Sequence, residues 1–312
     1  MSHRILLTGS TGQVGRELAT ELPALGKVIA PGRAELDLSK TDEIRRVVRD
    51  VRPSLVVNAA AYTAVDRAES EPAAAHAINA EAPTVLAEEA QKIGAMLVHY
   101  STDYVFDGSK NSPYTEADLP DPLNVYGKSK LAGEKAIQAS GVSHLIFRTA
   151  WVYSTQGKNF LLTILRLAAE REELRVVCDQ RGAPTWSRAI ATATLSVLER
   201  FSGQAENRLS PTSTSGAFHM TAAGVTSWHG FAEAILEEVA QVSDGAAWLS
   251  SVTGGRPIIA RRVVPITTAD YPTPARRPSY SVLSNSLLTS TFGISLPPWK
   301  AQLRAALTQN AP

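Results

Sequence analysis

Arg4-Ile-Leu-Leu-Thr8, followed at once by Gly9-Ser-Thr-Gly12-Gln-Val-Gly15, is the stretch on which the fold turns. Ile5 to Leu7 form a short apolar run that reads as a buried strand. Beyond the turn, Val14, Leu18, Leu22 and Leu25 recur at helical spacing. Strand, glycine turn and helix in that order make a cradle for a nucleotide diphosphate. Gly9 permits the tight turn, Gly12 lets the backbone approach a pyrophosphate, and Gly15 lets the helix close on the strand. The helix N-terminus then faces the phosphates. The spacing is G-x-x-G-x-x-G, one residue longer in its first gap than the usual fingerprint. A ligand-free glycine turn would carry the same three glycines; the strand before and the helix after favour binding.

The same alternation continues outward. Lys27-Val-Ile-Ala30, Ser54-Leu-Val-Val-Asn58, Ala95-Met-Leu-Val-His-Tyr100 and Leu145-Ile-Phe-Arg148 read as strands. A helix starts at Thr41 with Ile44, Val47, Val48 and Val51 on one stripe, and an alanine-rich helical stretch runs to Ala90, bent near Pro83. Such alternation predicts an α/β fold with a doubly wound parallel sheet of the Rossmann kind. The second half is less regular. Helices are expected over Phe160–Arg171, Arg188–Phe201 and Trp228–Ala240, with strand-like runs at Arg175–Cys178, Ala217–Thr221 and Val263–Thr267. The expected organisation is a dinucleotide-binding domain over 1–150 with a returning segment near 186–222. A smaller α/β substrate lobe would take 151–185 and 223–312. Ser210–Gly216, rich in Ser and Thr, reads as a surface loop.

Composition narrows the function classes. A net charge of +1 argues against a nucleic-acid binder. Cys178 is the only cysteine, so no internal disulfide forms and nothing asks for an oxidising compartment. No apolar run approaches the ~20 residues of a membrane span, and the first is too short for a signal peptide. The 6 histidines show no metal-ligand spacing, so no metal is expected. A cytoplasmic protein without nucleic-acid or membrane partners is the reading.

Chemistry is carried by Tyr126-Gly-Lys-Ser-Lys130 and by Ser101-Thr102, which closes the fourth strand. On a helix, Lys130 lies one turn beyond Tyr126 and on the same face. A phenol holds its proton at neutral pH and can give it away, and a neighbouring ammonium stabilises the tyrosinate left behind. Lys130 could also orient a nicotinamide ribose. Thr102, at the carboxyl end of a strand, can donate to a substrate carbonyl. Alone, the Tyr/Lys spacing is weak and a surface pair reads the same way; the glycine turn makes it informative. The second strand ends Ala30-Pro31-Gly32-Arg33, with no carboxylate at that end to bond a ribose 2′-hydroxyl. Arg33 could pair with a 2′-phosphate or simply with Glu35. NADPH is therefore expected over NADH, with some use of NADH open.

Tyr-x-x-x-Lys with an upstream Thr on such a sheet resembles the extended short-chain dehydrogenase/reductases. The match narrows through Thr8-Gly-Ser-Thr-Gly-Gln-Val-Gly15, Val57-Asn-Ala-Ala-Ala-Tyr-Thr-Ala-Val-Asp66, His99-Tyr-Ser-Thr-Asp-Tyr-Val-Phe-Asp-Gly108, Pro122-Leu-Asn-Val-Tyr-Gly-Lys-Ser-Lys-Leu-Ala-Gly-Glu-Lys135, Phe147-Arg-Thr-Ala-Trp-Val-Tyr153, Asp179-Gln-Arg-Gly-Ala-Pro-Thr185 and Tyr271-Pro-Thr-Pro-Ala-Arg-Arg-Pro278. In that order these segments resemble the dTDP-4-dehydrorhamnose reductase family over nearly the whole chain. The resemblance implies reduction, by nicotinamide hydride, of the C4 ketone of a dTDP-sugar in dTDP-rhamnose biosynthesis. It implies Thr102, Tyr126 and Lys130 as the catalytic set. Gly12, Gln13 and Val14 match the cofactor turn, Asp37 and Leu38 a pair near the adenine, and Ala61, Tyr62 and Thr63 the loop beside the cofactor. Ser101 and Trp151 match substrate contacts, although Trp151 could equally be core.

Relatives that dimerise do so through a magnesium ion held by carboxylates, some near the C-terminus. No Asp or Glu follows Asp270, so a monomer is expected, with a homodimer as the alternative. A related 4,6-dehydratase would place an Asp-Glu pair after the Thr, where this chain has Asp103-Tyr104; an epimerase is a further enzymatic rival. A non-catalytic NADP-binding subunit, like the regulatory subunit of methionine adenosyltransferase, is the rival from another class. It would have no chemical need for the complete Thr/Tyr/Lys set.

Overall fold

Six strands lie in one parallel sheet, and the first five are those the alternation predicts. A computed structural model describes residues 3–202, 214–241 and 247–308. Residues 210–213 of the expected loop fall outside the described residues. The strands β1 (Arg4–Thr8), β2 (Lys27–Ile29), β3 (Leu55–Asn58), β4 (Met96–Thr102) and β5 (His144–Thr149) are joined by a returning strand, Gly216–His219. Their order across the sheet is Gly216–His219, β5, β4, β3, β1, β2, all parallel. The chain moves outward from β1 to β2 and then crosses back to place β3 on the other side. The switch point between β1 and β3 is where open α/β sheets bind ligands, at their carboxyl ends.

Both faces of the sheet are covered, which is why β3 and β4 are buried along their whole length. Ile5, Leu7, Val57, Val98 and Phe147 pack under the helices Gln13–Glu21 and Ser187–Ser202. On the other face, Leu6, Val56, Leu97 and Ile146 pack under Thr41–Val51, Ala82–Ile93 and Val125–Ala139. The strand period of two sends alternate residues to the two layers. A separate apolar cluster joins the helices Phe160–Ala168, Trp228–Val239 and Trp299–Thr308 to a small parallel pair, Glu173–Val177 with Arg262–Ile266.

The alanine-rich stretch is more divided than its pattern suggests. Pro72–His76 leads into a π-turn at Ala77–Glu81 before Ala82–Ile93 resumes the α-helix. Pro83 has no N–H to offer the Asn79 carbonyl, and a side chain at Gly133 would lie 2.2 Å from that carbonyl oxygen. The expected bend thus falls just before the proline.

Two further features matter below. Glu89, only 1% exposed, sits between Arg49 at 2.7 Å, Lys92 at 2.8 Å and Arg45 at 3.3 Å, pinning Ala82–Ile93 to Thr41–Val51. Residues 271–285 form a strap that runs back over the sheet domain. Along it Asp66 pairs with Arg277 at 2.8 Å, the Asn124 amide donates to the Arg276 carbonyl at 2.8 Å, and Tyr114 bridges to Leu283.

Candidate active site

The glycine turn and the loop after β3 meet at the switch point. Gly9 has φ +74°, and a Cβ there would stand 2.6 Å from the Ala60 nitrogen. A Cβ on Gly15 would stand 2.0 Å from the Gly9 carbonyl oxygen. Gly15 therefore packs beneath the turn and does not line the cleft, while Gly12 sits at the helix N-cap with no side chain satisfying the first-turn N–H groups. Those groups and the helix dipole favour an anion. The cleft above has a volume of about 940 Å³. It is lined by Gly9, Gly12, Gln13, Val14, Arg33, Asp37, Leu38, Ala61, Tyr62, Thr63, Ser101, Tyr126 and Lys130 among others. Bare backbone over the turn and an open trough running to Arg33 fit a dinucleotide.

Asp37 accepts from the Ser39 backbone N–H and hydroxyl, which holds its carboxyl below the usual carboxylate range. Glu35 accepts from Gly32 N–H at 2.8 Å and does not pair with Arg33. Among the described residues the exposed Arg33 side chain forms no hydrogen bond or ion pair, and it faces the cleft. Asn79, on the π-turn, fixes the loop beside the cofactor trough by accepting from Tyr62 N–H and donating to the Tyr62 carbonyl. Sequence reading assigned Asn79 no role.

The reactive corner is built where β4 ends against the Val125–Ala139 helix. Asn124 caps that helix by accepting from Gly127 N–H at 2.8 Å, which sets Tyr126 in its first turn and Lys130 one turn on. A Cβ at Gly127 would lie 2.2 Å from the Tyr104 carbonyl oxygen, so the helix seats directly on the segment after Thr102. Tyr126 packs edge-on to Tyr104 at 5.6 Å. Burial pushes the phenol up to about 12, the neighbouring Thr102 hydroxyl lowers it and Asp103 raises it, so Tyr126 keeps its proton at neutral pH. Burial pushes Lys130 down to about 8, against the raising influence of Glu134. Its Nζ donates to the Tyr100 carbonyl at 2.6 Å and lies 3.0 Å from His99 Nε2.

Thr102 accepts from Tyr104 N–H at 3.1 Å and donates its proton to Asp103 at 3.0 Å. Its hydroxyl must exchange that partner to donate to a substrate. Burial pushes the Asp103 carboxyl up to about 6. Among the described residues the buried hydroxyls of Ser101 and Thr149 have no hydrogen-bond partner, and both residues line the cleft, so they are open to an incoming polar group.

Trp151 lies off the cleft. Its φ of +48° is uncommon for a residue with a side chain, and its ring stacks on Trp228 at 3.5 Å with an interplanar angle of 4°. A Cβ at Gly182 would stand 2.4 Å from the Trp151 ring. Trp228, 77 positions later in the chain, carried no signal for this stack. No group of three or more His, Cys, Asp or Glu that could hold a metal occurs among the described residues.

With this geometry in place, residues 3–311 match the family model described as the RmlD substrate binding domain. A dTDP-4-dehydrorhamnose reductase of Burkholderia thailandensis is 52% identical, with 95% of each chain covered. One of Escherichia coli is 42% identical, over 98% of this chain and 97% of the relative. The chain belongs to this family. Among solved structures, a dTDP-4-dehydrorhamnose reductase of Bacillus anthracis in complex with NADP is similar at a TM-score of 0.84 and 32% identity. That match covers 98% of this chain and 99% of the other. The family's parallel sheet with covered faces is the architecture found here, and no helix among the described residues is long and apolar enough to cross a membrane.

Proposed function

We propose that this chain reduces the C4 ketone of dTDP-4-dehydro-β-L-rhamnose to the alcohol of dTDP-β-L-rhamnose, using NADPH in the cytoplasm, with Tyr126 as general acid. The observation that carries the reading is the meeting of a glycine-turn cleft with a protonated, buried phenol and a buried lysine one helical turn away. The dihydronicotinamide supplies a hydride when bound. Gly12, Gln13 and Val14 would hold the pyrophosphate, Asp37 and Leu38 the adenine side, and Ala61, Tyr62 and Thr63 the opposite wall. Arg33 would pair with the 2′-phosphate.

The chain's own groups account for the proton. As negative charge develops on the ketone oxygen, Tyr126 donates its hydroxyl proton there, and Thr102 and Ser101 offer further hydrogen bonds. General acid help of this kind is worth roughly 10²–10⁴ in rate. Lys130 holds its place through Tyr100 and His99 and faces the ribose side of the cleft. Simple reduction is favoured over dehydration because the residue after Asp103 is Tyr104, whose ring packs edge-on against Tyr126 and supplies no second carboxylate. Trp151, stacked with Trp228, is proposed to border the sugar. The carboxylate-free sequence after Asp270 supports a monomer, which sedimentation would check.

The test is oxidation of NADPH by the purified chain with the 4-keto sugar nucleotide generated enzymatically, followed by identification of the product sugar. Formation of the 6-deoxy-L-sugar alcohol is expected. Binding of NADPH without turnover would overturn the reading.

A further inference from the structure

The glycine turn, Arg33, Asp37 and the Ala61–Thr63 loop all belong to the sheet domain, yet the cleft they border also has a wall from the chain beyond β5. Lys158, just ahead of the Phe160–Ala168 helix, lines the same cleft as Gly12, Gln13 and Arg33. Four basic side chains border this cleft: Arg33, Arg67, Lys130 and Lys158. Arg67 pairs with Glu71 at 2.6 Å, and Lys130 donates to the Tyr100 carbonyl. Arg33 and Lys158 are exposed and, among the described residues, form no hydrogen bond or ion pair. The neighbour of Lys158 fixes its place. Asn159 Oδ1 accepts from Leu162 N–H at 3.1 Å, and a backbone N–H can only donate, so the Asn159 amide nitrogen faces the other way. That nitrogen donates to Gln13 Oε1 at 2.9 Å and to the Ser154 carbonyl at 2.9 Å. Gly157, with φ +81°, supplies the turn between Ser154 and Lys158. The segment carrying Lys158 is thus tied to the first residue of the helix that the glycine turn opens.

We propose that Lys158 is a ligand of the dinucleotide's pyrophosphate, so that the cofactor is clasped between the sheet domain and the neighbouring helical cluster. Charge favours this assignment. A pyrophosphate brings a negative charge on each phosphate, whereas the uncapped helix N-terminus at Gly12 offers roughly +0.5 of an elementary charge. The glycine turn alone leaves most of that charge unmet, and a mobile ammonium meets a phosphate as a point charge. Arg33 is stationed elsewhere, near enough to Asp37 to help lower its carboxyl. The carboxylates bordering the cleft do not compete for Lys158: Asp37 is bound to Ser39, and Glu71 to Arg67 and Tyr62. Gln13 adds a second donor, because its oxygen is taken by Asn159 while its amide nitrogen has no partner among the described residues. The inference rests on the cleft's holding a nicotinamide dinucleotide, and not on which ketone is reduced.

Calorimetric titration of the full chain with NADPH, NADH and dTDP tests it without any turnover. Lys158→Met should weaken NADPH and NADH by a common factor of about tenfold, since both carry the pyrophosphate. The loss should shrink with added salt, and Lys158→Arg, which keeps the charge, should restore most of the affinity. Binding of dTDP should not change. Unchanged affinity for both cofactors overturns the proposal. A loss confined to NADPH also overturns it, because Lys158 would then read the 2′-phosphate, and so does a loss confined to dTDP. Acetylation of the wild-type chain by acetic anhydride, read residue by residue by mass spectrometry, needs no variant. Lys158 should react freely alone and several-fold more slowly with saturating NADP⁺ or NAD⁺, but not with dTDP; no protection by either cofactor overturns the proposal. If neither dinucleotide binds the wild-type chain, the reading of the cleft itself falls. Cofactor binding without reduction of the 4-keto sugar nucleotide bears on the proposed reaction and leaves this inference standing.

Discussion

Glu89 and Lys130 are equally hidden, each about 1% exposed, yet their surroundings are opposite in kind. Glu89 lies among three cations and is acidified to about 2, chiefly by Arg49. Lys130 meets a carbonyl and an imidazole and is pushed down to about 8. One buried charge is compensated and fastens two helices; the other is uncompensated and gives up its proton more readily than a lysine in water. Burial alone therefore does not mark a reactive site. Burial without a counterion, at the carboxyl end of a parallel sheet, does.

The contrast can be broken at either end. The largest effect is expected from Tyr126→Phe, which should lower kcat/KM by roughly 10²–10⁴ while leaving NADPH affinity and thermal midpoint near wild type. Glu89→Gln should leave kcat/KM unchanged, and parallel assays with melting curves would separate the two.

Lys130→Met should abolish turnover but stabilise the fold. A base whose folded pKa falls from 10.5 to about 8 binds fewer protons folded than unfolded between those values, so stability rises with pH across that window. At pH 7 the variant should be more stable by about 1–2 kcal/mol after allowing for its lost hydrogen bonds, and the gap should close by about pH 10.5. Chemical denaturation at several pH values reads it; a destabilised variant at pH 7 would contradict it.

For Glu89→Gln the sign reverses. Its folded pKa lies below the unfolded one, so its stabilisation is present above pH 4.5 and lost as pH falls towards about 2. The variant should lose about 1–2 kcal/mol at pH 7, since solvent screens the partly exposed cations, and the loss should vanish in acid. Arg33→Ala, removing a charge that is neither buried nor paired, should have the smallest effect. About a tenfold fall in preference for NADPH over NADH is expected, weakening with added salt. Equal NADPH use in the variant would remove Arg33 from cofactor choice.

What the sequence made legible was local. Strand period, glycine spacing and the Tyr126/Lys130 register are set within a few residues, so β1 and the helix from Thr41 fall where the pattern places them. The contact between Asn58 and His99 was not legible, because each ends or interrupts an apolar run and only the pairing of β3 with β4 makes them neighbours. Asn79 escaped notice for a related reason. Its hold on Tyr62 needs a π-turn, and that turn depends on Gly133 in another helix. Trp151 was left between core and contact, and its stack on Trp228 depends on a partner far along the chain.

The strap also bears on how the protein is made. Asn124, which seats the helix carrying the phenol, is held from outside by residue 276, and the sheet's last strand arrives only at 216–219. A ribosome must therefore release residue 276 before that contact on Asn124 can form. A nascent chain halted after β5 would already carry Thr102, Tyr126 and Lys130 and still lack the carbonyl that holds the Asn124 amide.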